Sequence, residues 1–320
     1  MTILSVVLMA GVAVGGQQPA SAVVPQEVSF PSGSVTLRGT VYKPAGDGPF
    51  PALIYNHGSA PGSLSDLAFE QLGLLFVERG WVFFAPYRRG QGLSAAAGPY
   101  VADEIASVAW AAARRKLLVV LIVSLGTIIA VCLLLRGRGR WIRASFALSL
   151  GLISTVTFVI IGMNARHSAT MQVLQTSHLP DHLTAYRWLE GQKFVDAARI
   201  ATAGNSFGGI ITVLAAKQVP FCAAVDVAGG AHTWSAPVAA GMKEAVRQSQ
   251  APIFFFQAAN DYTVEPTQQL GDEMRKSRLA FEARIYPPFG SSKADGHSFA
   301  WRGSAVWADD VFRFLDANCK

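Results

Sequence analysis

Charge is what this chain of 320 residues has least of: only 15% of its residues are Asp, Glu, Lys or Arg, against about 25% in an ordinary soluble domain. With 51% hydrophobic residues there is ample apolar surface to bury, which excludes intrinsic disorder. Acidic residues are missing altogether between positions 114 and 166, a stretch that holds eight of the 27 Lys and Arg; the rest of the chain has 19 basic residues against 21 acidic ones. The net charge of +6 and the pI near 9.4 are therefore the property of one segment, and a nucleic-acid partner is excluded. Cysteine is also scarce, at three residues. Cys132 lies in an apolar run and reads as a packing residue, while nothing in their spacing brings Cys222 and Cys319 together, so both are expected to be unpaired. No His or Cys grouping has metal-ligand spacing. His178 and His182 are four apart, but Pro180 between them disfavours the continuous helix that would align them, so neither a metal nor a cofactor is expected. There is no internal repeat and no long low-complexity stretch, which excludes repeat architectures.

Uncharged runs are abundant instead. Leu117 to Leu135 is 19 residues without a charge and Ala144 to Met163 is 20; at about 1.5 Å per residue each just spans a hydrocarbon core of about 30 Å. The intervening Arg136-Gly-Arg-Gly-Arg-Trp-Ile-Arg143 is short and basic, as a turn at a membrane surface should be, and Trp141 suits the headgroup layer. Residues 117–163 are thus expected to form a transmembrane helical hairpin with the lipid bilayer as partner; the alternative is a pair of buried core helices. Basic residues do not orient it, since Arg136, Arg138, Arg140 and Arg143 on the turn side balance Arg114, Arg115, Lys116 and Arg166 on the other. Ile3 to Val14 is apolar and Ala20-Ser21-Ala22 has the form of a signal-peptidase site, although no Lys or Arg precedes Ile3. Residues 1–22 read as a signal peptide or an uncleaved anchor. A signal would place the main domain outside the cytoplasm, with the Arg-rich turn inside.

The rest, residues 23–116 and 164–320, is of a size for one α/β domain. Strands are expected at Val35–Tyr42, Pro51–Asn56, Trp81–Pro86, Ala198–Ala203, Phe221–Val227, Pro252–Gln257 and Phe281–Tyr286. Helices are expected after Ser63 as far as Gly80, and at Asp181–Gly191, Ile210–Lys217, Pro266–Lys276 and Ala305–Ala317. Short apolar strands alternating with helices imply a doubly wound, mostly parallel sheet covered on both faces.

The Ala198 strand runs into Gly204-Asn205-Ser206-Phe207-Gly208-Gly209 just before a helix. This is G-x-S-x-G in a strand–turn–helix setting, where a sharp turn presents Ser206 and the small residues Gly204, Gly208 and Gly209 avoid clashes. A serine hydroxyl needs a base and the base needs an orienting carboxylate. Asp261, after PIFFFQ, and His297, in Asp-Gly-His-Ser, follow in chain order and would sit in loops at the same sheet edge. Asp226 is the second candidate for the acid, and Asp295 is too near His297 along the chain. An oxyanion hole would take the backbone N–H of Phe207 and that of Ser59, with Ala60 as the alternative, from the His57-Gly58-Ser59 turn. His57 itself reads as a turn former, and Arg88-Arg89-Gly90-Gln91-Gly92 as pocket wall or solvated loop.

With HGS after an early strand, YRRGQGLS, GNSFGG, a strand-end Asp and a late Gly-His, the chain resembles the α/β-hydrolase superfamily, and within it the dienelactone hydrolase-like and prolyl-oligopeptidase-like branches. The resemblance covers roughly residues 27–110 and 175–320. It implies a Ser206–Asp261–His297 triad working through an acyl-enzyme. Two departures stand out: dienelactone hydrolases usually carry Cys at the elbow, and prolyl oligopeptidases carry a large N-terminal propeller for which too few residues precede Gln26. The expected protein is a membrane-tethered serine hydrolase of small-molecule carboxylic esters, with apolar acyl groups favoured. Exopeptidase or amidase activity, and a non-catalytic membrane-anchored binding domain, are the alternatives. Oligomeric state is not legible.

Overall fold

The structure is a computed structural model that describes residues 23–59 and 66–320. The signal or anchor expectation for residues 1–22 and the Ala60 alternative lie outside these residues. Eight strands form one sheet in the order β1-β2-β4-β3-β5-β6-β7-β8. The strands are β1 (Gln26–Ser32), β2 (Val35–Tyr42), β3 (Phe50–Asn56), β4 (Val82–Pro86), β5 (Val195–Asn205), β6 (Ala224–Val227), β7 (Ile253–Ala258) and β8 (Phe281–Tyr286). The first two pair antiparallel, β2 meets β4 antiparallel, and every pairing from β4 through β8 is parallel.

Alternation along the buried strands builds two cores. In β4, Val82 and Phe84 face one layer and Phe83 and Ala85 the other; in β7, Ile253 and Phe255 oppose Phe254 and Phe256 in the same way. A strand covered on both faces is apolar at nearly every position, which is why VFFAP and the IFFF of β7 read as unbroken hydrophobic runs. One face is covered by α4 (Leu179–Glu190), α5 (Phe207–Ala216), α6 (Ala236–Arg247) and α7 (Glu265–Met274). The other is covered by α1 (Asp66–Glu78) and the C-terminal helix, which follows two short helices, α8 (Lys293–His297) and α9 (Phe299–Arg302), as α10 (Ser304–Asn318).

Three expectations are corrected. Cys222 and Cys319 form a disulfide across a Cα–Cα distance of 4.9 Å; the sheet brings together what 97 intervening residues hide. Pro180 does not break the helix around it. It occupies the first turn of α4, where a missing N–H costs nothing, and a π-helical turn at Leu174–His178 joins that turn to the helix before it. β1 and α6 were not anticipated: β1 is a polar edge strand containing Pro31, which needs no donor on its free side.

Between β4 and α4 the chain makes a long excursion. A 3₁₀ segment (Gly92–Ala97) leads into α2 (Val101–Leu134), and α3 (Arg140–Val173) returns. Both contain stretches long and apolar enough to cross a membrane. They pack on each other, with the Ser154 hydroxyl donating to Ser124 Oγ at 2.7 Å, and expose apolar side chains such as Leu118, Ile122, Leu148 and Ile153. They are therefore not the buried core helices of the alternative reading. Only their feet are buried, where Val101, Ile105 and Ala109 of α2 meet Ala169 and Val173 of α3.

Candidate active site

Ser206 stands at the end of β5 with φ +56° and ψ −119°, and α5 begins at the next residue. A non-glycine residue there is strained at a cost of about 1–3 kcal/mol. The strain is held by the Ser206 N–H donating to Val227 O at 3.0 Å and by the Ser206 carbonyl accepting from Ile210 N at 3.2 Å. Crowding explains the neighbouring glycines. A Cβ on Gly208 would lie 2.0 Å from the Asn56 carbonyl oxygen, and one on Gly204 2.5 Å from Gly208 O. At Gly209 it would meet Asp226 Oδ1 at 2.2 Å. All three elbow glycines are thus required by close approach. The Phe207 N–H opens α5 and so has no acceptor in its own helix, leaving it available to an anion.

Facing the elbow is the turn after β3, in which the carbonyls of His57, Gly58 and Ser59 and both ring nitrogens of His57 are held. Asn205 Oδ1 accepts from Gly58 N at 2.8 Å and from the Tyr55 hydroxyl at 2.9 Å. The buried Arg88 guanidinium donates to His57 O at 2.5 Å and Gly58 O at 3.0 Å, while its Nε reaches Gln91 Oε1 at 3.1 Å. Tyr100, just before α2, donates its hydroxyl to Ser59 O at 2.6 Å. His57 is fully buried, accepts the Arg88 N–H on Nε2 at 3.2 Å and therefore carries its proton on Nδ1, 2.7 Å from Gly58 O. Burial, reinforced by the Arg88 charge, holds its pKa well below the ordinary histidine value. A neutral, doubly bonded imidazole braces the turn. Arg88 is likewise an internal strut; the expectation of a pocket wall or solvated loop fails because its targets are carbonyls behind the turn. Its own pKa is lowered to about 10 by burial, and it stays charged at neutral pH. Arg89 leaves the site in the other direction, forming a two-pronged pair with Asp181 at 2.7 and 2.6 Å.

Asp261 follows β7 and His297 follows β8, on adjoining parallel strands. His297 Nδ1 and Asp261 Oδ1 are 2.9 Å apart, and the same oxygen accepts from Tyr262 N at 2.6 Å. His297 closes the short helix α8 where a plain loop was expected. Ser292 caps that helix: Ser292 Oγ accepts from Asp295 N at 3.1 Å, and Asp295 Oδ2 accepts from Ser292 N at 3.1 Å. The Ser292 hydroxyl and backbone donors hold the Asp295 pKa at about 2, so this carboxylate is a helix cap and no part of a triad. Asn260 joins the Asp and His loops by accepting from Phe289 N at 2.8 Å and donating to Ser292 O at 2.9 Å. The rings of Tyr262 and His232 line up beside His297, at centroid separations of 5.3 Å (Tyr262 to His297) and 4.5 Å (His232 to Tyr262).

Of the expected site, the structure closes the Asp261–His297 link and puts Ser206 on the same carboxyl edge of the sheet, two strands away from β7. Among the described residues no hydrogen bond joins the Ser206 hydroxyl to His297. Asp226, the second candidate acid, instead accepts from Gly229 N at 2.9 Å beneath the elbow. Burial pushes its pKa up to about 7. Ser59 is half-buried at the end of the braced turn. His178 and His182 are buried, and no group of three or more candidate metal-ligating residues occurs among the described residues. Asn205, Arg88, Tyr100 and Asn260 are the site residues that sequence reasoning missed as such. Asn205 and Arg88 stood inside the quoted motifs, while Tyr100 and Asn260 carry no local signature.

Residues 162–311, which contain Ser206, Asp261 and His297, match the model of the dienelactone hydrolase family. The chain has the α/β-hydrolase fold. The chain superposes on an esterase from Pyrococcus furiosus with a TM-score of 0.57 at 13% identity, covering 96% of this chain and 97% of that one. An acylaminoacyl peptidase from Pyrococcus horikoshii gives 0.56 at 13% identity; it is matched over 94% of this chain but only 43% of its own length. A candidate dienelactone hydrolase from Klebsiella pneumoniae gives 0.50 at 17% identity, over 90% and 99% of the two chains. No curated protein matches the chain by sequence. At these identities the neighbours establish the fold, and the chemistry rests on the site itself.

Proposed function

We propose that this hydrolase is a membrane-tethered serine esterase. The observation that carries the chemistry is the strained Ser206 elbow on the same sheet edge as the bonded Asp261–His297 pair. Asp261 holds the proton of His297 on Nδ1, which leaves Nε2 as the base. Catalytic hydrogen bonds are often open without substrate, and binding brings Nε2 to the Ser206 hydroxyl. Ser206 Oγ then attacks the acyl carbonyl, the N–H groups of Phe207 and Ser59 receive the developing oxyanion, and His297 returns the proton to the departing alcohol. Water, activated by the same imidazole, releases the acid. Tethering is supported by the exposed apolar faces of α2 and α3 and by the exposed Trp110 and Trp141, which suit the two headgroup layers. The Cys222–Cys319 disulfide supports an extracytoplasmic hydrolase domain.

In membranes from expressing cells, an alkyl fluorophosphonate should label the full-length chain and leave Ser206→Ala unlabelled. p-Nitrophenyl ester hydrolysis should fall by about 10⁴-fold in both Ser206→Ala and Asp261→Asn. Labelling that survives in Ser206→Ala refutes the nucleophile. Absence of any labelling favours the non-catalytic binding domain, and faster turnover of aminoacyl p-nitroanilides than of esters moves the reading to an exopeptidase.

A further inference from the structure

The feet of α2 and α3 do not close on each other completely. Between them is a cavity of about 320 Å³, within the range of roughly 300–1,000 Å³ typical of small-molecule sites. Val108 and Ala112 of α2 and Ile161, Ala165 and Ala169 of α3 form its apolar wall, and Lys116 and Asn164 stand on its polar side. Three of these residues do double duty. Ala169 belongs to the apolar cluster at the helix feet, and Val108 and Ala165 pack against that cluster, as does Phe207, the residue directly after the nucleophile. One apolar cluster therefore adjoins both the cavity and the elbow. Along α2 the rise of 1.5 Å per residue carries Lys116 about 12 Å beyond Val108, toward the exposed apolar part of the hairpin. Charge along these segments is of one sign: Lys116 lines the cavity, Arg114, Arg115 and Arg166 are its close neighbours in the chain or on the facing helix, and no Asp or Glu occurs from position 105 to 180. Such basic segments are drawn to an anionic lipid surface.

We infer that this cleft is the acyl-chain subsite, and that a single-chain fatty ester enters it sideways from an anionic bilayer with its carbonyl end leading toward Ser206. The inference deepens the esterase reading and rests on it. The small side chains of Ala112, Ala165 and Ala169 leave this space unfilled between the helices. The Tyr100–Ser59 hydrogen bond ties the start of α2 to the oxyanion turn and so links the chain site to the reaction site.

The test uses the full-length protein in vesicles of phosphatidylglycerol and phosphatidylcholine, with p-nitrophenyl decanoate and butyrate as substrates. Ala165→Trp and Ala112→Trp should each lower the decanoate-to-butyrate ratio of kcat/KM by tenfold or more, whereas Val306→Trp, on the exposed side of α10, should leave the ratio unchanged. A ratio within twofold of wild type in both cleft variants, with fluorophosphonate labelling retained, overturns the subsite. A second measurement needs no turnover. Ser206→Ala protein is irradiated with a diazirine-bearing decanol in the same vesicles, and cross-links should map to 108–116 and 161–172. Cross-links confined to 117–134 and 144–160 overturn the inference even if esters are hydrolysed. Cross-links in the cleft of a protein that hydrolyses no ester would instead retire the esterase reading and keep the cleft as a lipid site.

Discussion

Arg88 shows how one side chain can serve the reaction without touching substrate. Its guanidinium spans the His57 and Gly58 carbonyls and so sets the plane of the turn that ends in Ser59. Arg88→Met keeps the bulk and leaves the His57 carbonyl unpaired in the interior, at about 1–3 kcal/mol, while Gly58 O retains only the His57 ring N–H. The expected result is a kcat loss of tenfold or more with a smaller change in KM, together with a lower melting temperature; an unchanged kcat would show that the turn keeps its geometry unaided. Asp226 makes the opposite kind of statement, about pH. Burial raises its pKa to about 7, well above the usual carboxylate value of about 4 that it has when unfolded. Its contribution to stability is therefore whole below about pH 4 and is lost as pH climbs through about 7, with a slope of up to about 1.4 kcal/mol per pH unit. Asp226→Asn retains the acceptor for Gly229 N–H and removes the ionisation. Denaturant melts between pH 5 and pH 8 should show the variant gaining on the wild type as pH rises, and a constant difference would refute the assignment. The buried His57 and His182, whose pKa values burial depresses, act on the other flank: they withhold stability as pH falls below about 6.5, where the unfolded chain takes up their protons.

At the scale of elements, the disulfide ties the end of α10 to the loop before β6, where Cys222 N–H also donates to Ile200 O at 3.0 Å. Protein from membranes should show Cys222 and Cys319 blocked to maleimide until reduced, and replacing both by Ser should cost about 2–5 kcal/mol. Free thiols at both positions in the native protein would contradict the extracytoplasmic assignment. This link also marks where local reading runs out. Strands such as Val82–Pro86 were legible because both covered faces demand apolar residues, and the elbow was legible because crowding admits only small residues beside Ser206. The Cys222–Cys319 pair, the Tyr100–Ser59 bond and the Asn260 bridge join positions far apart in the chain, and no periodicity encodes them. β1 was missed because a sheet edge tolerates polar side chains and proline. The π turn at Leu174–His178 was missed because the breaking tendency of Pro180 is local, whereas the first turn of α4 accommodates it.

The whole molecule is an α/β body with two apolar helices exposed beyond it, and their removal is a direct probe of the arrangement. Replacing Leu117–Met163 by a short Gly-Ser linker should release the protein from membranes at moderate salt. It should cut turnover of decanoyl esters far more than of butyryl esters. Equal losses on both would reduce the hairpin to an anchor. Its position in the chain has a further effect on how the protein is made. The central strand pair β3–β5 joins segments that lie on either side of the hairpin, so four strands leave the ribosome before the apolar helices and four after. If the helices partition into the bilayer as they emerge, the first half of the sheet waits beside the translocon with its β3 edge unpaired. It is completed only when translation delivers β5, and with it Ser206, so under the proposed tethering the site cannot assemble before the hairpin is in the bilayer.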